Sequence, residues 1–369
     1  MVALSGHFHP VGFSDLPGWD RDTVSTAYSA FCRSAWRAVE KPYRTGSLGI
    51  DALSFGQAFE VARRHPSLGE TEARAFFEAH FVAALVRPDP AERGLVTGFY
   101  EPVVEASPVR TERFRVPLLR RPRDLVEIDD TNRPIGFDPA FAFGRQVGGR
   151  IAEYFDRGEI ERGVLDTQDL ALAWVEDKVD AFFIHVQGCA RLRMPDGAET
   201  RITYAAKTGH PFTGAGRVLA ELGEIPLAEV TMQSIRAWFH RNPHRIDEIL
   251  WRNRSYIFFR EAPVDEPELG PIAAAKVPLT PGRSMAVDRV LHTFGTPFFV
   301  DAPTLTAFNG RPFRRLMIAQ DTGSAIVGPA RGDLFAGSGD AAGEIAGVVR
   351  HPADFYALLP RPLLEHARS

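Results

Sequence analysis

The spacing of apolar residues changes near residue 94, and this change limits the fold more than any other feature of the sequence. Before it, apolar side chains recur every three or four positions, which is typical of amphipathic helices. We predict helices over 20–40, 53–64 and 71–86. The first begins behind Asp20 and Thr23, which are helix-capping residue types, and the third ends before Pro88. After residue 94 the apolar runs are short and separated by proline and glycine, which predicts strands.

The region after residue 94 is predicted to consist mainly of strands. Apolar runs of strand length lie at 95–100, 114–119, 181–186, 256–259, 296–300 and 315–319. Helices are expected at 166–177 and 227–240, and a surface loop at 131–149, which is rich in Gly, Pro and Asn. His7 and His9 fall in a predicted N-terminal tail, where metal binding is only weakly supported. A domain boundary is therefore expected near residue 100.

Composition limits the classes of protein that fit. A chain of 369 residues is longer than a single hydrophobic core usually serves, so two domains are expected. Its 28 prolines and 32 glycines favour a turn-rich, largely β fold. The net charge is −4 and the basic residues are scattered, which argues against a nucleic-acid surface. Cys32 and Cys189 have neither disulfide-framework nor zinc-ribbon spacing. The first twenty residues lack the features of an export signal, including a lipidation cysteine, and no apolar run reaches membrane-spanning length.

The segment 320–339 carries the strongest chemical signal, because Asp321 and Asp333 stand among glycines directly after an apolar run. A glycine-rich loop lets the backbone approach a ligand closely. Asp333 precedes Leu334 and Phe335, so partial burial would raise its pKa and keep it protonated as a general acid. Asp321 would orient Asp333 or form a carboxylate pair with it. The alternative is that both aspartates cap turns.

A second class of chemistry also fits Asp321. The tetrapeptide 321–324 (Asp-Thr-Gly-Ser) after 316–319 is similar to the active-site turn of aspartic peptidases. Those enzymes need two such aspartates, and no second Asp-Ser/Thr-Gly occurs in the chain. Zinc-peptidase, phosphate-loop, serine-hydrolase and dinucleotide-binding motifs are absent from the sequence, so no metal or cofactor is expected.

Several segments together resemble the membrane-bound lytic murein transglycosylase A family, in the order in which that family carries them. They are 97–102 (Thr-Gly-Phe-Tyr-Glu-Pro), 183–188 (Phe-Ile-His-Val-Gln-Gly), 204–211 (Tyr-Ala-Ala-Lys-Thr-Gly-His-Pro), 232–236, 253–259, 287–289, 295–297 and 321–339. One departure lies at 187–190, where Gln-Gly-Cys-Ala stands in place of the frequent Gln-Gly-Ser-Gly.

The resemblance implies a fold that is mainly β with accessory helices. A double-psi β-barrel domain would combine 1–100 with 262–369, and a second β-barrel domain would be inserted at 101–261, with a groove between the two. Asp333 takes the place of the catalytic acid, with Asp321 as its catalytic partner, and Asp288 completes the three aspartates that name the C-terminal domain. The substrate-binding candidates are Thr97, Gly98, Tyr100, Gln187, Gly188, Tyr204, Lys207, Gly209, His210, Asp288 and Arg331, and the aromatic rings of Phe99 and Phe212 are additional stacking candidates.

The implied activity is lytic cleavage of peptidoglycan glycan strands with formation of 1,6-anhydromuramic ends. It needs one acid/base, whereas most glycoside hydrolases need two carboxylates. The resemblance also implies a place in the cell envelope, with outer-membrane association and other cell-wall enzymes among the expected partners. A peptidoglycan-binding protein without catalytic activity is the remaining alternative, since a fold alone does not fix function.

Overall fold

A computed structural model describes residues 4–88 and 93–365, so the first three residues of the N-terminal segment lie outside it. Its contacts divide the chain into unit 1, Met1–Tyr100 with Glu266–Ser369, and unit 2, Glu101–Asp265. Within the described residues, no helix has both the length and the apolar character needed to span a bilayer.

Unit 1 begins with the helical segment that the sequence predicts, although its bounds differ. The elements before residue 102 are β1 (Phe8–Pro10), α1 (Val24–Glu40), α2 (Gly56–Arg64), α3 (Glu70–His80), β2 (Phe81–Val86) and β3 (Gly94–Glu101). The expected side-chain cap of α1 by Asp20 or Thr23 is wrong. Instead, the Glu70 carboxylate accepts hydrogen bonds from the backbone amides of Val24 (2.9 Å) and Ser25 (3.1 Å) at the start of the helix.

The other strands of unit 1 close into a barrel with β3. They are β13 (Ser284–Val287), β14 (Pro297–Ala302), β15 (Phe313–Asp321), β16 (Arg331–Ser338) and β17 (Arg350–Pro360), accompanied by α9 (Asp340–Gly347) and α10 (Arg361–Glu365). The ladder runs β17-β14-β15-β13-β16-β3, and β17 also pairs with β3. This six-stranded ring confirms the β-barrel that was expected for the first domain. Most of its apolar side chains and those of α1 to α3 form one continuous core, and a smaller cluster includes Phe99, Ala286 and Phe335.

Unit 2 is a mixture of small sheets and short helices. Its elements are β4 (Val103–Glu105), β5 (Val116–Leu119), β6 (Leu125–Glu127), β7 (Phe143–Val147), β8 (Arg150–Ala152), α4 (Arg157–Glu161), β9 (Ala171–Val175), α5 (Lys178–Gln187), β10 (Cys189–Arg193), β11 (Glu199–Lys207), α6 (Ala215–Glu221), α7 (Met232–Arg241), α8 (Ile246–Leu250) and β12 (Ile257–Ala262). The sheets are β12-β11-β10-β4, β5-β9 and β6-β7-β8.

Several local predictions are wrong in type. Residues 81–86 form β2, which pairs with β1 on one side and β17 on the other, and their apolar side chains are buried or half-buried on both faces of the strand. The predicted strand 181–186 lies in α5, whereas the predicted helix 166–177 is a short 3₁₀ turn followed by β9. The tail that carries His7 and His9 pairs through β1, and the expected loop 131–149 contains β7.

Candidate active site

The barrel brings Asp321 and Asp333 together through one shared neighbour on β13. Ala286 pairs with Asp333 across the antiparallel β13–β16 ladder and with Asp321 across the parallel β13–β15 ladder, next to a register shift. Asp333 therefore lies within a strand, and the prediction that it stands in the glycine-rich loop is wrong. The loop is the connection 322–330 between the two aspartate-bearing strands.

Asp333 is held by a short chain of side-chain hydrogen bonds. The Thr97 hydroxyl donates to Oδ1 of Asp333 at 2.5 Å, and Nη2 of Arg331 donates to the same hydroxyl oxygen at 2.8 Å. A second guanidinium nitrogen of Arg331 donates to the carbonyl of Gly332 at 2.5 Å. Burial raises the pKa of Asp333, while the Thr97 bond and the Arg331 charge act in the opposite direction.

Asp321 lies at the end of β15, beside a turn from the segment before β13. Its Oδ1 accepts the backbone amide of Ala274 at 3.1 Å. Burial raises the pKa of Asp321 to about 6, against the lowering effect of backbone amides, and the nearby Asp333 charge raises it further. The preceding residue, Gln320, is fixed to α1 through the carbonyl of Ala30 and the hydroxyl of Ser34, so α1 anchors this end of the strand.

Asp288, the third aspartate, holds the connecting loop. Its Oδ2 accepts the amide of Gly328 at 3.0 Å, and its Oδ1 accepts the amide of Val290. His292, one turn further along, bonds through Nε2 to the carbonyl of Pro329 at 2.8 Å. Oδ2 of Asp288 therefore holds the loop leading into Arg331, while Oδ1 holds the turn that follows Asp288 itself.

Gly98 and Tyr100, two other predicted substrate contacts in unit 1, lie in close packing. A Cβ at Gly98 would come within 3.0 Å of Ala346 and Val349, so glycine is needed there for the approach of β3 to α9. Tyr100 is buried, and its ring packs against Gly343, where an added Cβ would lie 3.0 Å from the ring. Phe99 packs in the core against Phe335.

In unit 2, the predicted residues gather around the end of α5 and the strand β11. Gly188 ends α5 in a left-handed conformation, φ 74°, directly after the half-buried Gln187. A Cβ on Gly188 would lie 4.0 Å from the Cβ of Tyr204, whose side chain is 41% exposed. Lys207, at the end of the same strand, is half-buried, and burial lowers its pKa.

The loop after β11 carries the last candidates of unit 2. Gly209 has φ 90°, and a Cβ there would lie 2.5 Å from the carbonyl oxygen of Phe143. His210 is buried with Nε2 2.7 Å from the carbonyl oxygen of Tyr154, so it has a structural contact. Phe212, in contrast, is 42% exposed. Phe212 and Tyr204 thus present accessible aromatic rings, whereas Phe99 and Tyr100 do not.

One residue near the acid was missed by the sequence interpretation. Arg350, the first residue of β17, pairs in register with Thr97. The pKa of Arg331 is lowered mainly by burial, and the positive charge of Arg350 lowers it further. The β17–β3 pairing that brings it there has no local sequence signal. Among the described residues, no group of three or more His, Cys, Asp or Glu side chains is arranged to hold a metal ion.

Comparison with known proteins agrees with this architecture. Residues 95–260 match the MltA specific insert domain, and residues 283–359 match the 3D domain. The crystal structure of a membrane-bound lytic murein transglycosylase from Agrobacterium tumefaciens is 51% identical and covers 97% of this chain and 99% of its own, with a TM-score of 0.91. The chain belongs to the membrane-bound lytic murein transglycosylase A family. The sheet-dominated fold with accessory helices is thereby confirmed.

More distant relatives extend the comparison. Membrane-bound lytic murein transglycosylase A of Escherichia coli (strain K12) is 31% identical over 274 residues, which are 72% of this chain and 66% of that protein. The alignment therefore spans just under two thirds of the relative's length. The structure of E. coli MltA with bound chitohexaose shares the fold at 24% identity, with a TM-score of 0.71 and coverage of 97% and 96%. The aspartic peptidase interpretation finds no support in these matches.

Proposed function

We propose that this protein is a lytic murein transglycosylase that cleaves the β-1,4 bond between N-acetylmuramic acid and N-acetylglucosamine, with Asp333 as its single acid and base. The observation that carries the proposal is the environment of Asp333. Its carboxyl group is desolvated enough to raise its pKa, and one of its oxygens is engaged by a hydroxyl donor. A group in that state delivers a proton first and accepts one afterwards.

The hydrogen bonds determine which oxygen carries the acidic proton. A guanidinium group cannot accept a hydrogen bond, so the Thr97 oxygen must accept from Arg331. The single hydroxyl proton of Thr97 is then directed to Oδ1 of Asp333. The proton of the acid form therefore resides on Oδ2, which faces the glycosidic oxygen in the proposed reaction.

The reaction includes two proton transfers, one from Asp333 and one back to it. Protonated Asp333 donates to the glycosidic oxygen, and the bond between that oxygen and C1 of the muramyl residue breaks. The Asp333 carboxylate then takes the proton of the muramyl C6 hydroxyl while that oxygen bonds to C1 and closes the 1,6-anhydro ring. The carboxyl group is restored and no water is consumed. An intramolecular hydroxyl held beside C1 has an effective concentration of about 10⁵ M or more, which exceeds that of water.

The other predicted residues divide into roles. Asp321, with a pKa of about 6, supports Asp333 through its charge and orientation, and Asp288 orders the loop between them. In unit 2, Tyr204 and Phe212 offer exposed rings to sugar faces, and Gln187 and Lys207 supply polar groups for hydroxyl and acetamido groups. Chitohexaose bound to the E. coli relative supports glycan as the ligand class.

The family name supports a location in the cell envelope. We propose the periplasm and outer membrane as the place where this enzyme meets murein. Association with other cell-wall enzymes stays a prediction.

Mass spectrometry of fragments released from purified sacculi tests the function. We expect products that end in 1,6-anhydro-N-acetylmuramic acid, lighter by one water than reducing ends, and no incorporation of oxygen from labelled water. Asp333→Asn should lower turnover at least about 10²- to 10⁴-fold with glycan binding retained, because an amide cannot donate and then accept the proton. Asp321→Asn should lower it less. Labelled reducing ends would indicate a hydrolase, and binding without release would indicate a non-catalytic protein.

A further inference from the structure

Arg350 lies on β17, which pairs with β3, the strand that carries Thr97, and it shares the face of the barrel that carries the acid. Residues directly opposite each other in an antiparallel pair project their side chains to the same side of the sheet. Arg350 and Thr97 are such a pair, and the Thr97 side chain bonds directly to Asp333. The Arg350 side chain therefore projects on the face that carries the acid.

The guanidinium group of Arg350 is available for a ligand. Arg350 is exposed, and within the described residues its side chain makes no ion pair or hydrogen bond. Other arginines of the barrel differ: Arg93 pairs with Asp354 at 2.7 Å, and Arg314 pairs with Asp301 at 3.0 Å. Arg331, the second cation near the acid, is already engaged by Thr97 and by the Gly332 carbonyl.

The net positive charge on this face is largest when Asp333 is protonated. With Asp333 protonated, as the first step requires, the positive charges of Arg331 and Arg350 are no longer matched by the Asp333 carboxylate. An anionic group on the substrate would restore the balance. Hydroxyl and acetamido groups carry no charge, whereas each muramyl residue bears a lactyl group whose carboxyl is either free or joined to a peptide with further carboxylates.

We propose that Arg350 is a specificity-determining residue that binds a carboxylate of the muramyl side chain and so distinguishes murein from neutral glycans of the same linkage. This inference rests on the proposed function. Guanidinium and carboxylate groups form charge-assisted hydrogen bonds. Because the site is open to solvent, we expect the contact to contribute roughly tenfold in kcat/KM, which is the effect of about one such bond.

The test uses three strands of equal length with alternating N-acetylglucosamine and N-acetylmuramic acid. One is peptide-free with lactyl carboxylates, one carries stem peptides, and in the third the lactyl carboxylates are converted to neutral methylamides. The wild-type protein should cleave at least one anionic strand with about tenfold higher kcat/KM than the neutral one. Arg350→Gln should lose that preference, so that its kcat/KM is the same on the anionic strands as on the neutral one. The anionic strand that shows the effect identifies the lactyl or the peptide carboxylate as the ligand.

Arg311→Gln is the matched control, since it removes another exposed arginine, from the connection between β14 and β15, and it should keep the wild-type preference. The inference is overturned if the wild-type protein shows no preference, if Arg350→Gln keeps it, or if Arg350→Gln weakens cleavage of all three strands equally. Failure of the proposed function gives a different result, because no strand would then yield anhydro ends with any variant.

Discussion

Thr97 links a cation to the proposed acid through a single hydroxyl group. It donates to Asp333 at 2.5 Å and accepts from Arg331 at 2.8 Å. A donor to a carboxyl oxygen stabilises the ionised form more than the neutral form, so this contact opposes the rise in the Asp333 pKa that burial causes. The sequence interpretation placed Thr97 and Arg331 among substrate contacts, whereas their geometry suits them to tune and orient the acid.

Thr97→Val should shift the pH dependence of activity. Removing the hydroxyl removes a bond that favours the carboxylate, so the pKa of Asp333 rises and the protonated acid persists to higher pH. The alkaline limb of the pH profile of kcat/KM should move to higher pH. In addition, kcat should fall roughly tenfold because Asp333 loses its fixed orientation. Thr97→Ser restores the hydroxyl and should restore the profile. An unchanged alkaline limb in Thr97→Val would show that the bond does not tune the acid.

The sequence pointed to Asp333 through its apolar neighbours, but it could not supply the surroundings of that residue. Thr97 lies 236 positions away, and Arg350 reaches the site only by pairing with Thr97 across β17 and β3. Such contacts depend on barrel closure and leave no local pattern. For the same reason Gly98 and the His210 ring, which have evident packing contacts, could not be distinguished from ligand-binding residues.

At the level of elements, two apolar runs of six residues show why helix and strand were exchanged. The sequence predicts a helix for residues 81–86, which form β2, and a strand for 181–186, which lie in α5. A short apolar run fits either structure when it is buried. The flanking residues decide the second case: Asp177 caps the amides of Val179 and Asp180, and Gly188 ends the helix.

The connection between β13 and β14 restrains the connection between β15 and β16. His292 bonds to Pro329, and burial lowers the pKa of His292 to about 4. In the unfolded chain the imidazole takes up a proton below about pH 6.5, but in the folded protein it does not do so until about pH 4. Folding stability should therefore fall as the pH drops across this interval, by about 1.4 kcal/mol per pH unit and about 3 kcal/mol in all.

His292→Gln should reduce this dependence, since the amide can still donate to Pro329 but does not titrate. The free energy of unfolding, measured with urea at pH 7.5 and at pH 5, should change by about 2 kcal/mol less in the variant than in the wild type. His9→Gln, at an exposed position on β1, controls for the loss of an imidazole. Equal pH slopes in the wild type and His292→Gln would contradict a buried neutral histidine at this position.

At the level of the whole molecule, the sequence alone indicated β-rich content and a change of pattern near residue 94, but not the path of the chain. The unit 1 barrel closes where β17 pairs with β3, about 250 positions apart in sequence. The chain leaves this barrel at Glu101 and returns at Glu266. Long-range pairing of this kind is decided by barrel closure and core burial, so only the family resemblance supplied a discontinuous domain.

A buried ion cluster lies where the chain enters unit 2. Glu101 is fully buried and binds two arginines: Arg191 donates to Oε2 at 3.1 Å, and Arg201 donates to both carboxylate oxygens. Arg201 also reaches the carbonyl of Pro263, close to the end of the unit. The cluster thus connects the first residue of unit 2, two of its strands and its last segment.

Glu101→Gln should destabilise the protein strongly, because it removes the buried carboxylate that pairs with both guanidinium groups. Breaking a buried ion pair by removing one partner commonly costs about 3–5 kcal/mol, whereas exposed pairs contribute about 1 kcal/mol or less. Glu105→Gln makes the same chemical change at an exposed position on β4 and should alter stability little. Thermal and urea unfolding of both variants measures the difference. If Glu101→Gln unfolds like Glu105→Gln, the two arginines tolerate the loss of the carboxylate, and the cluster does not stabilise the point at which the chain enters unit 2.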